Sequence, residues 1–186
     1  MRIKYNAPTV LTYAFLCAGA LAAATYLLPP LSGGWFTVPG RGSFSPGSLR
    51  HWVTVFSHVM GHSNWGHLAA NFSIILLIGP MLEENYGSGP LLAMIAITAV
   101  ITGLLNVIIF TSFLRGASGV AFMMILLASF TNFSRSEIPL TFILVLILFL
   151  GGQIIESFNA SNISHFAHIA GGFCGSLFGF FFSPKK

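Results

Sequence analysis

The sequence predicts an all-α, polytopic membrane protein: six transmembrane helices bundled in one domain over residues 1–186, with a short central fourth helix. Three observations carry this. The chain is 55% hydrophobic and only 6% charged, whereas soluble domains carry about a quarter charged residues. Apolar runs that suit a bilayer recur between proline, glycine and polar breakers. Polar side chains within those runs are few and clustered, as they are when they face a bundle interior or a water-filled cavity. The lipid bilayer is therefore an obligatory partner. The formal net charge of +4 comes from scattered basic residues, which does not read as a nucleic-acid surface.

The first span is expected at about 9–28, ended by Pro29-Pro30. Arg2 and Lys4 give it a basic start, but the apolar run continues to Leu28 without a polar segment, so it reads as a retained span rather than a cleaved signal. Residues 30–62 form one long first loop. Within it Leu49, Trp52, Val53, Phe56 and Met60 recur at helical spacing behind a Ser48 cap, which predicts an amphipathic helix at the membrane surface. Further spans are expected at 63–82, 89–110, 117–130, 138–155 and 164–182. About 20 residues cross a bilayer core, so the fourth span is too short and starts below one surface, leaving a cavity above it. The Lys and Arg bias places Arg2, Lys4, Arg135, Lys185 and Lys186 on the cytoplasmic side, with both termini. Arg41, Arg50 and Arg115 then lie outside.

The polar residues within spans point to function. His58, His62, His67 and Asn71 follow in quick succession, and His67 and Asn71 share one helix face near the start of span two. His165 and His168 lie near the start of span six. There Ala167, Gly171, Gly175 and Gly179 repeat every four residues, a small-residue stripe that lets a neighbouring backbone approach closely. Spans three and five offer little polarity beyond Asn106 and Gln153. Spans two, four and six all start on the outer side, so His67, Asn71, Ser118 and His168 fall at similar depth.

Those four residues fit hydrolysis by serine. Ser118 is the expected nucleophile and His168 the base that takes its proton. Gly116 and Gly119 let the chain turn sharply around Ser118. The Ser118 backbone N–H, the Asn71 amide and a His67 ring N–H supply oxyanion donors. The chain has no aspartate, only Glu83, Glu84, Glu137 and Glu156, so neither a Ser-His-Asp triad nor a two-aspartate site is available. A Ser-His dyad remains, with no cofactor. His58, His62 and His67 lack a carboxylate or cysteine among them and straddle a turn at 61–64, so no metal site is read. Cys17 and Cys174 lie in apolar runs and read as packing residues. Two other classes stay open, a catalytically silent membrane-protein binder or chaperone and a small transporter.

The stretches "HVMGHSNWGHLAANF", "GASG" and "AHIAGGFCG", in that order on successive spans, resemble the rhomboid family of intramembrane serine proteases, in its basic six-helix bacterial form. The resemblance covers roughly residues 49–180. It implies Ser118 as nucleophile, His168 as general base, and His67, Asn71 and the Ser118 N–H as oxyanion hole. It further implies transmembrane protein substrates, a bacterial inner membrane, and a site opening to the outer face. Glu83 looks like the family's structural glutamate after span two, Gly171 belongs to the glycine motif after the histidine, and residues 157–163 look like a cap loop. In two places the chain departs from many members. Phe122 stands where a tyrosine stacks on the histidine, and "LRHWVTVF" has Trp52 without a following arginine.

Overall fold

The structure is a computed structural model that describes residues 3–27, 34–130, 140–145, 147–148, 163–182 and 184. The expected cap loop up to residue 162, most of the fifth span, Gln153 and the His165 side chain lie outside the described residues, as do the terminal charges Arg2, Lys185 and Lys186. The described elements are helical. Helix α1 is Pro8–Ala22, continued by a π-helical turn at Ala23–Leu27. Helix α2 is Leu49–Ser57, followed by a 3-10 turn at His58–Met60. Then come α3, Trp65–Tyr86, α4, Ser88–Ile109, and α5, Ser118–Ala128. Helices α6, Leu140–Val145, and α7, Ile163–Phe181, complete the order.

Among the described residues three helices are long and apolar enough to cross a membrane: Pro8–Leu27, Trp65–Tyr86 and Ser88–Ile109. Shorter apolar helices occupy Ser118–Ala128 and Phe166–Phe181. The bundle has an apolar core that also takes in polar side chains, and it exposes large apolar ones. Thr54, His58, Thr98, Thr102 and Asn106 are buried, while Leu77 and Phe180 are largely exposed. That is the distribution expected of a chain whose outer surface meets lipid.

The second span ends later than the sequence predicts. It runs four residues beyond 82, through Pro80, to Tyr86. Proline removes one intrahelical hydrogen bond, but an apolar surround offers the remaining backbone groups no better partner than the helix. Glu83 therefore lies inside α3, in its last turn, and not beyond it. Its carboxylate reaches the start of α1, accepting from the N–H groups of Thr9 at 2.8 Å and Val10 at 3.0 Å. The Ser88 hydroxyl also donates to it, at 2.7 Å. Helix α1 has no cap from its own N-cap residue, Ala7. Glu83 takes that place, setting a negative charge at the positive helix end.

Helix α2 forms behind Ser48 as expected, with the Ser48 hydroxyl oxygen accepting from the His51 N–H. Its apolar residues Leu49, Trp52, Val53 and Phe56 face outward, whereas Thr54, Val55 and Ser57 are buried. The buried face packs on α4, where Gly103 lets the Val55 backbone come close. The first loop also pairs with the segment before α5. Val38 and Leu114 exchange both N–H···O bonds at 3.0 Å in an isolated antiparallel bridge.

The small-residue stripe does what its spacing predicts. A side-chain carbon at Gly171 would strike the Gly119 backbone, one at Gly175 the Met123 backbone, and one at Gly179 the Phe130 ring. From Gly171 to Gly175 the partner advances by four residues, from Gly119 to Met123, so α5 and α7 run in the same direction in close contact. Their N-terminal ends lie together, and this places His168 and Ser118 in the lining of one cavity.

Candidate active site

Ser118 opens α5 at the end of a turn whose glycine is required. Gly116 has φ of 129°, a conformation open to glycine and strained for other residues. A side-chain carbon there would also lie 2.8 Å from His67 Cε1 and 2.9 Å from His67 Nε2. The Gly116 N–H donates to the His58 carbonyl at 3.0 Å. This ties the turn to the end of the first loop.

Ser118, His168, His67, Asn71 and Phe122 line one cavity of about 620 Å³, together with Ser63, Arg115 and apolar neighbours. They come from α3, α5 and α7, the three elements whose starts the sequence places at one depth. The His168 ring lies flat on Phe122, with centroids 4.3 Å apart and an interplanar angle of 3°. A stack of this kind is worth about 0.5–1.5 kcal/mol beyond simple burial. Phe122 thus holds the histidine ring without a tyrosine hydroxyl.

The start of α3 sets the donors. The Asn64 side chain caps the helix by accepting from the His67 N–H at 2.8 Å. The Ser63 N–H donates to His67 Nδ1 at 3.4 Å. In the neutral ring this hydrogen-bond pattern assigns the proton to Nε2, the nitrogen beside Gly116. One turn later, the Asn71 Nδ2 group is buried without a hydrogen-bond partner. It lies 3.8 Å from the position a Gly116 side-chain carbon would take. Two N–H donors therefore sit at the turn that presents Ser118, beside the first N–H groups of α5.

His58 supports the turn from below. Its Nδ1 faces the Val55 carbonyl at 3.0 Å and must donate to it. Its Nε2 lies 3.3 Å from the Thr102 hydroxyl, which donates to the Thr98 carbonyl at 2.8 Å. Burial lowers the His58 pKa to about 4, against hydrogen bonds to backbone carbonyls that raise it. His62 is likewise lowered to about 4, first by burial and then by the neighbouring His67. Of the histidines considered together in the sequence, only His67 reaches the cavity lining.

Thr102 was not singled out in the sequence. It lies under Gly119, with its Cγ2 3.3 Å from where a side-chain carbon at 119 would be. Span three is accordingly more polar than expected. Thr98, Thr102 and Asn106 are all buried, at strict four-residue spacing on one face. That spacing is visible in "ITAVITGLLN" and was the available signal. Asn106 is not among the residues that line the cavity and donates to the Ser112 carbonyl at 3.1 Å.

Residues 49–185 match the family described as Rhomboid domain. The chain is 35% identical over 161 residues to Rhomboid-related protein 1 of Caenorhabditis elegans, covering 77% of this chain and 44% of that protein. It is 25% identical over 133 residues to Rhomboid protease GlpG of Haemophilus influenzae, covering 70% of this chain and 69% of that one. The chain thus spans less than half the length of the nematode relative.

Proposed function

The chain belongs to the rhomboid family, and on that premise we propose that it is an intramembrane serine endopeptidase working through a Ser118–His168 dyad. Its substrates are transmembrane proteins, cut in or near their membrane segments. The observation that carries the reading is the single cavity lined by Ser118, His168, His67 and Asn71.

In this reading the Ser118 Oγ attacks the scissile carbonyl carbon while His168 takes the hydroxyl proton. The carbonyl oxygen becomes an oxyanion and receives the Asn71 Nδ2–H, the His67 Nε2–H and the Ser118 backbone N–H. His168 returns its proton to the leaving amine, the C–N bond breaks, and an acyl ester remains on Ser118. A water molecule, deprotonated by His168, then attacks the ester and releases Ser118. The flat stack on Phe122 substitutes for a carboxylate in fixing the imidazole.

The wider reading is one domain of six spans in a bacterial inner membrane. Both termini are cytoplasmic and the cavity opens to the outer face. The test is labelling of the detergent-solubilised protein with a fluorophosphonate, together with cleavage of a transmembrane substrate in liposomes. Labelling and cleavage are expected in wild type and lost in Ser118→Ala and His168→Ala. A wild type that neither labels nor cleaves would instead be a silent membrane-protein binder.

A further inference from the structure

We propose that Arg115 selects substrates carrying an acidic side chain close to the scissile bond. This rests on the endopeptidase reading and gives it a substrate class. Arg115 is half-buried, three residues before Ser118, and lines the same cavity as Ser118 and His168. Among the described residues no acidic side chain lines that cavity. Among the described residues Arg115 is in no ion pair, and Glu83 is committed to the start of α1. The described walls of the cavity thus hold a permanent cation and no counter-ion for it.

The rest of the lining has the same sign. The N-terminus of α5 opens beside Ser118 and carries the positive end of the helix dipole. His67 and Asn71 add N–H donors. An apolar surround screens such a field poorly, and a concave wall focuses it. A carboxylate entering with the substrate meets a guanidinium in the cavity lining, while an ammonium is repelled. Charge-assisted hydrogen bonds of this kind change affinity by roughly tenfold or more. Substrate segments flanking a membrane on its outer side are already poor in Lys and Arg, so an acidic residue there is the charge that distinguishes one substrate from another.

The experiment uses one transmembrane substrate in three versions, with Asp, Asn or Lys moved across the two positions on each side of the scissile bond. The ratios of kcat/KM are measured in neutral phosphatidylcholine vesicles for wild type, Arg115→Lys, Arg115→Gln and Arg115→Glu. At one position or more, wild type is expected to prefer Asp over Asn by roughly tenfold and to disfavour Lys. Arg115→Lys retains the order, Arg115→Gln brings the Asp:Asn ratio close to one whatever its absolute rate, and Arg115→Glu inverts Asp and Lys. An Asp preference that persists in Arg115→Gln, or equal rates for all three substrates at every position, overturns the inference. A preference seen only in vesicles containing anionic lipid also overturns it, because Arg115 would then be reading headgroups. Fluorophosphonate labelling separates the two readings. Labelled enzyme without charge preference overturns this inference alone, whereas no labelling and no cleavage overturns the endopeptidase reading with it.

Discussion

Replacing Phe122 by leucine tests whether an aromatic face, rather than a hydroxyl, holds the proposed base. Phe122 is 9% exposed and lies flat on His168 at 4.3 Å. Leucine keeps most of the apolar volume but has no ring to stack on. The lost stacking preference is about 0.5–1.5 kcal/mol. If it holds the imidazole in its productive orientation, the productive fraction falls about 2- to 13-fold, since about 1.4 kcal/mol is a factor of ten. The second-order rate of fluorophosphonate labelling of Ser118 should fall by that factor in Phe122→Leu. Phe122→Tyr, which keeps the ring, should label within about twofold of wild type. Thermal unfolding in the same detergent checks that the leucine variant remains folded. An unchanged labelling rate in folded Phe122→Leu would refute the claim that the stack positions His168.

Asn71→Ala should lower kcat by about 10²–10³ while leaving the thermal unfolding midpoint nearly unchanged, because Asn71 Nδ2 has no hydrogen-bond partner to lose. A large loss of stability would make the residue structural. Gly171→Ala should lower the unfolding midpoint by forcing α5 and α7 apart. Gly19→Ala, a helical position with nothing within 4 Å of the added carbon, should raise stability by about 0.5–1 kcal/mol. Acid should loosen the first loop. The His58 pKa is lowered to about 4 in the folded protein from an ordinary value of about 6.5. The unfolded chain therefore takes up a proton between those values that the folded chain refuses. Stability is full above about pH 6.5 and lost progressively towards pH 4, by about 3 kcal/mol for this one group. Unfolding measured at pH 7 and pH 5 on wild type and His58→Gln, which carries no titrating ring, should show a smaller acid loss in the variant.

The parts of the fold legible in the sequence were those with a period or a hard stop. The stripe at Ala167, Gly171, Gly175 and Gly179 announced close packing, and it is met by the backbone of Gly119 and Met123. The short fourth helix was legible because about 20 residues are needed to span a bilayer, and α5 covers 11. Pairings between distant elements were harder to read. Glu83 looked like a residue beyond a helix end, because the apolar run was read as closing at Leu82 and because its partners, Thr9 and Val10, lie on another span. Thr98 and Thr102 passed as ordinary apolar-span residues, since threonine in a helix can satisfy its own hydroxyl, as Thr98 does on the Met94 carbonyl at 2.8 Å. The outward face of α2 followed from taking the bilayer as the solvent. The missing Trp-Arg pair did not foretell what anchors the loop: the Val38–Leu114 bridge and the Trp52 indole N–H on the Pro46 carbonyl at 2.8 Å.

A buried amide without a partner costs about 1–3 kcal/mol, so each such group needs a reason. Among the described residues four buried side-chain atoms lack one: His62 Nε2, Asn71 Nδ2, Tyr86 Oη and Asn106 Oδ1. Of these residues only Asn71 lines the cavity that holds Ser118 and His168. Beside Asn71 runs the turn that leads into Ser118. Gly116 must be glycine to pass His67, and its N–H is spent on the His58 carbonyl. It is therefore not available to an oxyanion, and the donors that remain are Asn71, the His67 ring and the first N–H groups of α5. A fold that satisfies the Gly116 N–H and leaves the Asn71 amide open distinguishes the group that builds the turn from the group that would act on a substrate. On this reasoning Asn71→Asp, which keeps the shape but replaces donors with acceptors and adds negative charge, should impair catalysis more than Asn71→Ala does.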